Sequence, residues 1–251
     1  MIGIFDSGSG GLTVLKALRE ELPSADVVYF GDIKNAPYGD DKPQEEISLL
    51  TVNAMQLLQE RGANKIVSAC NSVSASLALS VFDAFGIEPN HIIEMVGPTV
   101  SYFKGSKAEV LLCATPATVR AGIYQNAFRM IHKQVTIVAV PELAGAIEFG
   151  KPQAEIEKII ANAFKEVPPF DVLVLGCTHY PLALESFKKT LPNKAFFDPA
   201  HVVAERAKKL FWPQEVGGGA TTFLISKESE HFRALVERLF LGTTYRIEMV
   251  E

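Results

Sequence analysis

Three features of the sequence predict an α/β chain made of two similar parallel-sheet halves. Short runs rich in Val and Ile alternate with longer stretches of helical period, the pattern of parallel strands joined by covering helices. Several of these runs end in small and turn-forming residues, as at Phe5-Asp6-Ser7-Gly8 and Ala69-Cys70-Asn71-Ser72. A weak internal repeat also carries matching features along by nearly constant distances. IGIFDSG resembles EVLLCATPAT about 108 positions later, and KIVSACNS returns as VLVLGCTH, which sets Cys70 and Cys177 107 positions apart.

From the amino terminus, residues 2–5 form an apolar run expected as a strand, and Leu12, Leu15, Leu18 and Leu22 then recur at helical spacing. Residues 26–30 make the second strand. Gly31 to Asp40 follows with turn formers and no helical period, so a loop is expected over the same sheet edge. Ile47, Leu50, Ala54, Leu57 and Leu58 stripe one face of the next helix, which leads into a strand over 65–69 that stops at Cys70. Further strands are expected over 92–95, 109–113, 135–140, 172–175 and 223–225, the last in a segment that returns to the first half.

Composition excludes several function classes. The chain has 251 residues, 48% of them hydrophobic, with 24 basic against 29 acidic residues and a net charge of −5. That balance supplies no general pull toward nucleic acid or anionic lipid, so neither is expected as a partner. No apolar run is long enough to span a membrane, and MIGIFDSGSGG lacks a basic segment followed by a long apolar one, so a cytoplasmic protein is expected. Three scattered cysteines without a CxxC fit free thiols in a reducing compartment.

The loop Phe5 to Leu12 follows a strand and opens a helix, so its backbone N–H groups can receive an anion. It matches neither a dinucleotide fingerprint nor a P-loop, which leaves a carboxylate as the expected anion or a tight turn as the whole explanation. Asp6 lies at the strand end beside it and points into the cleft. Cys70-Asn71-Ser72 and Cys177-Thr178-His179 are stronger signals. Each thiol sits between an apolar strand and a helix, where a helix N-terminus lowers a thiol pKa, and hydroxyl or amide groups follow each. Cys113, inside its strand, reads as a small core hydrophobe. His179 can exchange protons with Cys177 or a reacting group, and no ligand set for a metal is evident around them. By spacing alone Glu148 is an ordinary helix residue.

Two thiols in matched positions suit inversion at a carbon that bears hydrogen. One thiolate removes the proton, the opposite thiol returns another, and the configuration inverts. Abstraction α to a carboxylate needs oriented donors and exclusion of water. Neither a lysine pattern for pyridoxal phosphate nor a nicotinamide fingerprint is present, so a cofactor-free route is expected. A Cys177–His179 thiol hydrolase leaves Cys70 unused, and a non-enzymatic binder of acidic metabolites leaves both thiols unused.

At this point the residues carry a family resemblance. Phe5-Asp6-Ser7-Gly8 with Gly10-Gly11-Leu12-Thr13, Gly31-Asp32 with Pro37-Tyr38-Gly39, Ala69-Cys70-Asn71, and Gly176 to Pro181 resemble the glutamate racemase signature, in the same order and across essentially the whole chain. The resemblance implies two flavodoxin-like α/β domains related by pseudo-two-fold symmetry, with the active site in the cleft between them. The expected division is 1–96 with 208–251 against 97–207. It further implies a cofactor-independent racemase that makes D-glutamate for peptidoglycan and acts as a homodimer on a small acidic amino acid. Cys70 then acts on the D-enantiomer with Asp6 assisting, and Cys177 on the L-enantiomer with Glu148 and His179 assisting. Ser7, Pro37, Tyr38 and Gly39 fall near the substrate's side-chain carboxylate; Asn71, Ser72, Thr118 and Thr178 fall near its α-amino and α-carboxylate groups.

The chain departs from the family pattern in places that shape substrate. Ile33-Lys34-Asn35 stands where Thr-Ala-Arg is usual, Ser72 replaces a Thr, and Ala114-Thr115-Pro116-Ala117-Thr118 replaces a Gly-Thr-x-Gly-Thr run. The same chemistry on aspartate or another acidic amino acid is therefore the alternative.

Overall fold

The structure is a computed structural model that describes residues 1–74, 87–213 and 216–250. The first half opens with β1 (Ile2–Asp6), α1 (Leu12–Glu21), β2 (Val27–Gly31), α2 (Gln44–Glu60), β3 (Lys65–Ser68), a helical segment α3 described over Asn71–Ser74, and β4 (Ile92–Glu94). The second contains α4 (Val96–Tyr102), β5 (Val110–Ala114), α5 (Pro116–Ala121), α6 (Ile123–Met130), β6 (Thr136–Ala139), α7 (Leu143–Glu148), α8 (Gln153–Ala163), β7 (Val172–Gly176), α9 (Leu184–Thr190) and β8 (Ala195–Phe197). Then α10 (Ala200–Phe211), β9 (Thr221–Ile225), α11 (Glu230–Leu239) and β10 (Tyr245–Met249) complete the chain.

All strands among the described residues pair in parallel, in two sheets of order β10-β9-β2-β1-β3-β4 and β6-β5-β7-β8. The run β2-β1-β3-β4 in one sheet matches β6-β5-β7-β8 in the other, and the two thiols follow the equivalent strands β3 and β7. The carboxyl-terminal strands β9 and β10 extend the first sheet beyond β2.

Side chains on β1 alternate between two cores, as a doubly covered strand requires. Ile2 and Ile4 pack with Leu12, Leu15, Leu18 and Leu22 of the first leucine stripe, and Phe5 packs on the opposite face with Ile47, Ala54, Met55 and Leu58 of α2. Gly3 shares that second face, where a Cβ would come within 2.9 Å of Ala63 Cβ, so its lack of a side chain lets the α2 end settle on the sheet. In the second half, Leu111 and Cys113 face one core while Val110, Leu112 and Ala114 face the other. Cys113 is fully buried there, as its sequence context suggested.

The chain returns to the first half through α10, whose Ala200, Val203, Ala204, Ala207 and Phe211 join the core around α1. The division expected at 207/208 thus falls inside this helix. Its apolar stripe is buried in that core from Ala200 to Phe211.

Candidate active site

The carboxyl ends of β1, β2 and β3 meet those of β5 and β7 across a cleft, the edge where open α/β sheets place ligands. Ser7, Pro37, Tyr38, Gly39, Cys70, Asn71 and Ser72 from one side, and Thr115, Ala144, Cys177, Thr178 and His179 from the other, line a tightly closed cavity of about 10 Å³. The thiols are nearly sealed from solvent, Cys70 being 4% and Cys177 6% exposed.

Close backbone contact between the halves makes this seal. A Cβ on Gly8 would lie 2.7 Å from Glu148 Oε2, and one on Gly10 would lie 2.6 Å from Thr178 Oγ1 and 2.7 Å from His179 Nδ1. The glycines therefore serve close approach. The loop's amides receive carboxylates that belong to the protein itself: Gly8 N–H donates to Asp6 Oδ1 at 2.9 Å and Ser9 N–H donates to Glu148 Oε2 at 2.8 Å. The Thr178 hydroxyl donates to Asp6 Oδ2 at 3.0 Å, and Ala117 N–H donates to Gly39 O at 2.7 Å, adding bonds across the cleft.

The two thiols have different neighbours. Cys70 Sγ donates to Ser7 Oγ at 3.4 Å, while Cys177 Sγ lies 3.8 Å from His179 Nδ1. Burial, reinforced by nearby Asp6, pushes the Cys70 thiol up to about 11. The lowering expected from its place before a helix is not found, because desolvation of the thiolate outweighs the local donors.

His179 and Glu148 form a buried pair, with His179 Nε2 2.6 Å from Glu148 Oε2. Burial favours the neutral imidazole, but hydrogen bonding with Cys177 and with Glu148 reverses that and holds His179 well above its ordinary value. Burial likewise raises Glu148, yet the bond from His179 and the two from Ser9 bring it below the usual carboxylate range. An imidazolium that donates through both ring nitrogens fits both shifts. Asp6 is shifted up, since its burial exceeds the relief from His179, the Gly11 and Gly8 amides and Thr178.

Around the rest of the cavity, side chains hold one another in place. Tyr38 donates its hydroxyl to Asp32 Oδ2, and Asp32 also accepts from both Asn35 Nδ2, at 2.9 Å, and Ser226 Oγ, at 2.6 Å. Asn35, at the point where the sequence departs from the family pattern, thus folds back onto Asp32. The Tyr124 hydroxyl donates to Asn71 Oδ1 at 2.6 Å, and Asn71 Nδ2 is buried without a partner among the described residues. Ser72, Thr115 and Thr118 share a hydroxyl cluster, with Ser72 Oγ 3.1 Å from Thr115 Oγ1 and 3.4 Å from Thr118 Oγ1.

Of the residues expected in the site, Asp6 and Glu148 lie just behind the cavity wall and Thr118 stands behind Ser72 and Thr115. The others expected there line the cavity directly. Thr115 and Ala144 also line it without having been singled out, though the hydroxyl of Thr115 inside the altered 114–118 run was an available signal. Ser9, Asp32 and Tyr124 support the site from outside the cavity; Asp32 stands in the Gly31-Asp32 motif, whereas nothing in the local sequence gives Ser9 or Tyr124 a role. Among the described residues no group of three or more His, Cys, Asp or Glu is arranged to hold a metal.

Residues 10–207, which include both thiols, match the family model described as Asp/Glu/Hydantoin racemase. The chain belongs to the aspartate/glutamate/hydantoin racemase family. Relatives in this racemase family are alike over nearly their full length. Glutamate racemase 3 of Caldanaerobacter subterraneus subsp. tengcongensis is 33% identical, covering 100% of this chain and 95% of the relative. The glutamate racemase of Aquifex aeolicus is 32% identical, covering 96% and 94%. Among solved structures, the glutamate racemase of Francisella tularensis in complex with D-glutamate superposes with a TM-score of 0.87 at 27% identity, covering 100% of this chain and 97% of that one.

Proposed function

We propose that this protein is a cofactor-independent glutamate racemase in which two thiols from opposite halves exchange protons with Cα. The observation that carries this reading is the shared cavity, where Cys70 and Cys177 meet with separate proton-handling neighbours. The full-length relatives named above, themselves glutamate racemases, support glutamate as the substrate.

In the L-to-D direction, a Cys177 thiolate stabilised by the His179 imidazolium takes the Cα proton. The C–H electron pair remains on carbon, delocalised into the α-carboxylate. The Cys70 thiol then gives its proton to the other face of the carbanion and is left as the thiolate. The reverse reaction restores the first state. A thiol pushed up to about 11 rests protonated at neutral pH and is thereby ready to donate. The substrate's ammonium group favours the Cys70 thiolate once it forms, and the closed cavity keeps water from the carbanion.

Asn71, with an unpartnered N–H pair at the cavity, binds the α-carboxylate together with Ser72 and Thr178, while Thr118 steadies the hydroxyls from behind. Ser7, Pro37, Tyr38 and Gly39 surround the side-chain carboxylate. The same reading makes the enzyme a cytoplasmic homodimer that supplies D-glutamate to peptidoglycan synthesis. No described helix is long and apolar enough to cross a membrane, which accords with it.

Racemisation rates on L-glutamate and L-aspartate test the substrate. Glutamate is expected to have the higher kcat/KM by at least about tenfold, the scale set by one methylene. A higher value for aspartate, or no racemisation of either, would overturn this assignment.

A further inference from the structure

Glu148 Oε2 is an unusually crowded acceptor. It receives Ser9 N–H at 2.8 Å and Ser9 Oγ–H at 2.6 Å, and lies 2.6 Å from His179 Nε2. Ser9 is 0% exposed and belongs to the loop between β1 and α1, whereas Glu148 ends α7 in the other half. The hydroxyl spends its proton on the acid that holds the histidine, and the histidine in turn faces Cys177 Sγ. Ser9 itself does not line the cavity.

We propose that Ser9 is a positioning residue for proton transfer at Cys177, its hydroxyl bracing the Glu148 carboxylate that orients and charges His179 when the two halves close. The inference rests on the racemase reading of the site. A buried carboxylate stays ionised only when donors replace the water it has lost, and Ser9 supplies two of the three seen here. The backbone bond survives any side-chain substitution, so Ser9→Ala removes one donor from Glu148 while the loop stays anchored. Other groups acting on the pair are Asp6 and Cys177 beside His179, and Tyr29 and half-buried His231 on the Glu148 side. None of them donates a hydrogen bond to Glu148 in the way Ser9 does.

The test compares wild type, Ser9→Ala and Ser9→Thr by racemisation kinetics against pH and by nitrogen-15 NMR of labelled histidine, with His179 assigned by its loss in His179→Gln. Without the hydroxyl the Glu148 carboxylate turns away from His179 Nε2, and His179 then loses its proton at lower pH. In Ser9→Ala the His179 titration and the basic limb of the pH–rate profile should therefore both move down by about half a unit or more, and kcat should fall about tenfold with KM within about twofold of wild type. Ser9→Thr, which keeps a hydroxyl, should recover most of the loss. In Glu148→Gln the carboxylate that Ser9 braces is gone, so adding Ser9→Ala should produce no further shift. Unchanged titration and pH profile in folded Ser9→Ala, or a loss that appears in KM alone, would overturn the proposal. Should Ser9→Ala not fold, Ser9→Thr and Ser9→Cys decide it: equal His179 titrations despite their unequal donors would count against it. Failure of wild type to racemise would overturn the racemase reading instead, since the His179 titration is read without turnover.

Discussion

Gly10→Ala should disable the enzyme while leaving both halves folded. A Cβ at this position would lie 2.6 Å from Thr178 Oγ1, 2.7 Å from His179 Nδ1 and 2.8 Å from the His179 backbone nitrogen. The last contact is the decisive one, because a backbone atom held by the β7 end and the turn after it cannot swing aside as a side-chain tip can. Reaching ordinary contact at 3.4 Å from that backbone nitrogen requires a displacement of about 0.6 Å, and that movement separates Asp6 from Thr178 and alters the distance between the opposed thiols. A misplacement of this size costs on the order of 10²-fold in kcat, while overpacking costs about 1–3 kcal/mol in stability. Steady-state racemisation measures the first and thermal unfolding the second. Gly218→Ala is the control, since the nearest atom to its new Cβ is 3.8 Å away, and it should keep wild-type activity. A Gly10→Ala enzyme with wild-type kcat and KM would refute the claim that the halves must close to this tolerance.

Cys70→Ala and Cys177→Ala should each lower racemisation by at least about 10³-fold, with near-native circular dichroism, and substantial turnover in either would show that one base suffices. The Glu148–His179 pair also makes stability depend on pH. His179, raised above its ordinary 6.5, contributes below that value and loses the contribution as pH rises through its folded pKa. Glu148, lowered from 4.5, contributes above that value and loses the contribution as pH falls through its folded pKa. Glu148→Gln should therefore lower Tm most between pH 4.5 and 6.5, by the equivalent of about 3–5 kcal/mol, with the deficit shrinking toward either extreme; a deficit independent of pH would contradict the ion pair. Tyr124→Phe should raise KM for glutamate by about fivefold with a smaller change in kcat, because it frees the Asn71 amide to rotate. An unchanged KM in kinetic assays would show that the Tyr124 bond does not orient Asn71.

Eight of the ten strands among the described residues were legible in the sequence, and the two that were not lie at sheet edges. Ala195–Phe197 has only three residues, next to Lys194 and Asp198, too few to show alternation. Tyr245–Met249 interleaves Arg246 and Glu248 with its apolar residues and is half exposed, so it carries no apolar run. The central strands were readable because they are covered on both faces and must be almost wholly apolar. The thiols were readable for a related reason. Polar or reactive residues at the ends of such strands stand out, and the repeat displayed them twice. Ser9 and Tyr124 were not readable, because their partners Glu148 and Asn71 lie 139 and 53 residues away and meet them only when the halves pack. The upward shift of Cys70 is invisible in sequence for the same reason. A helix N-terminus is visible in sequence, whereas the closed cavity that desolvates the thiol is a product of packing.

Deuterium incorporation during the first few percent of conversion of L-glutamate in deuterated water tests the two-thiol account most directly. One thiol removes the original hydrogen and the other delivers a solvent-derived one. D-glutamate should therefore carry deuterium at Cα while recovered L-glutamate remains unlabelled. Label entering recovered L-glutamate as fast as D-glutamate forms would point to a single base, and label in neither enantiomer would contradict proton exchange at Cα altogether.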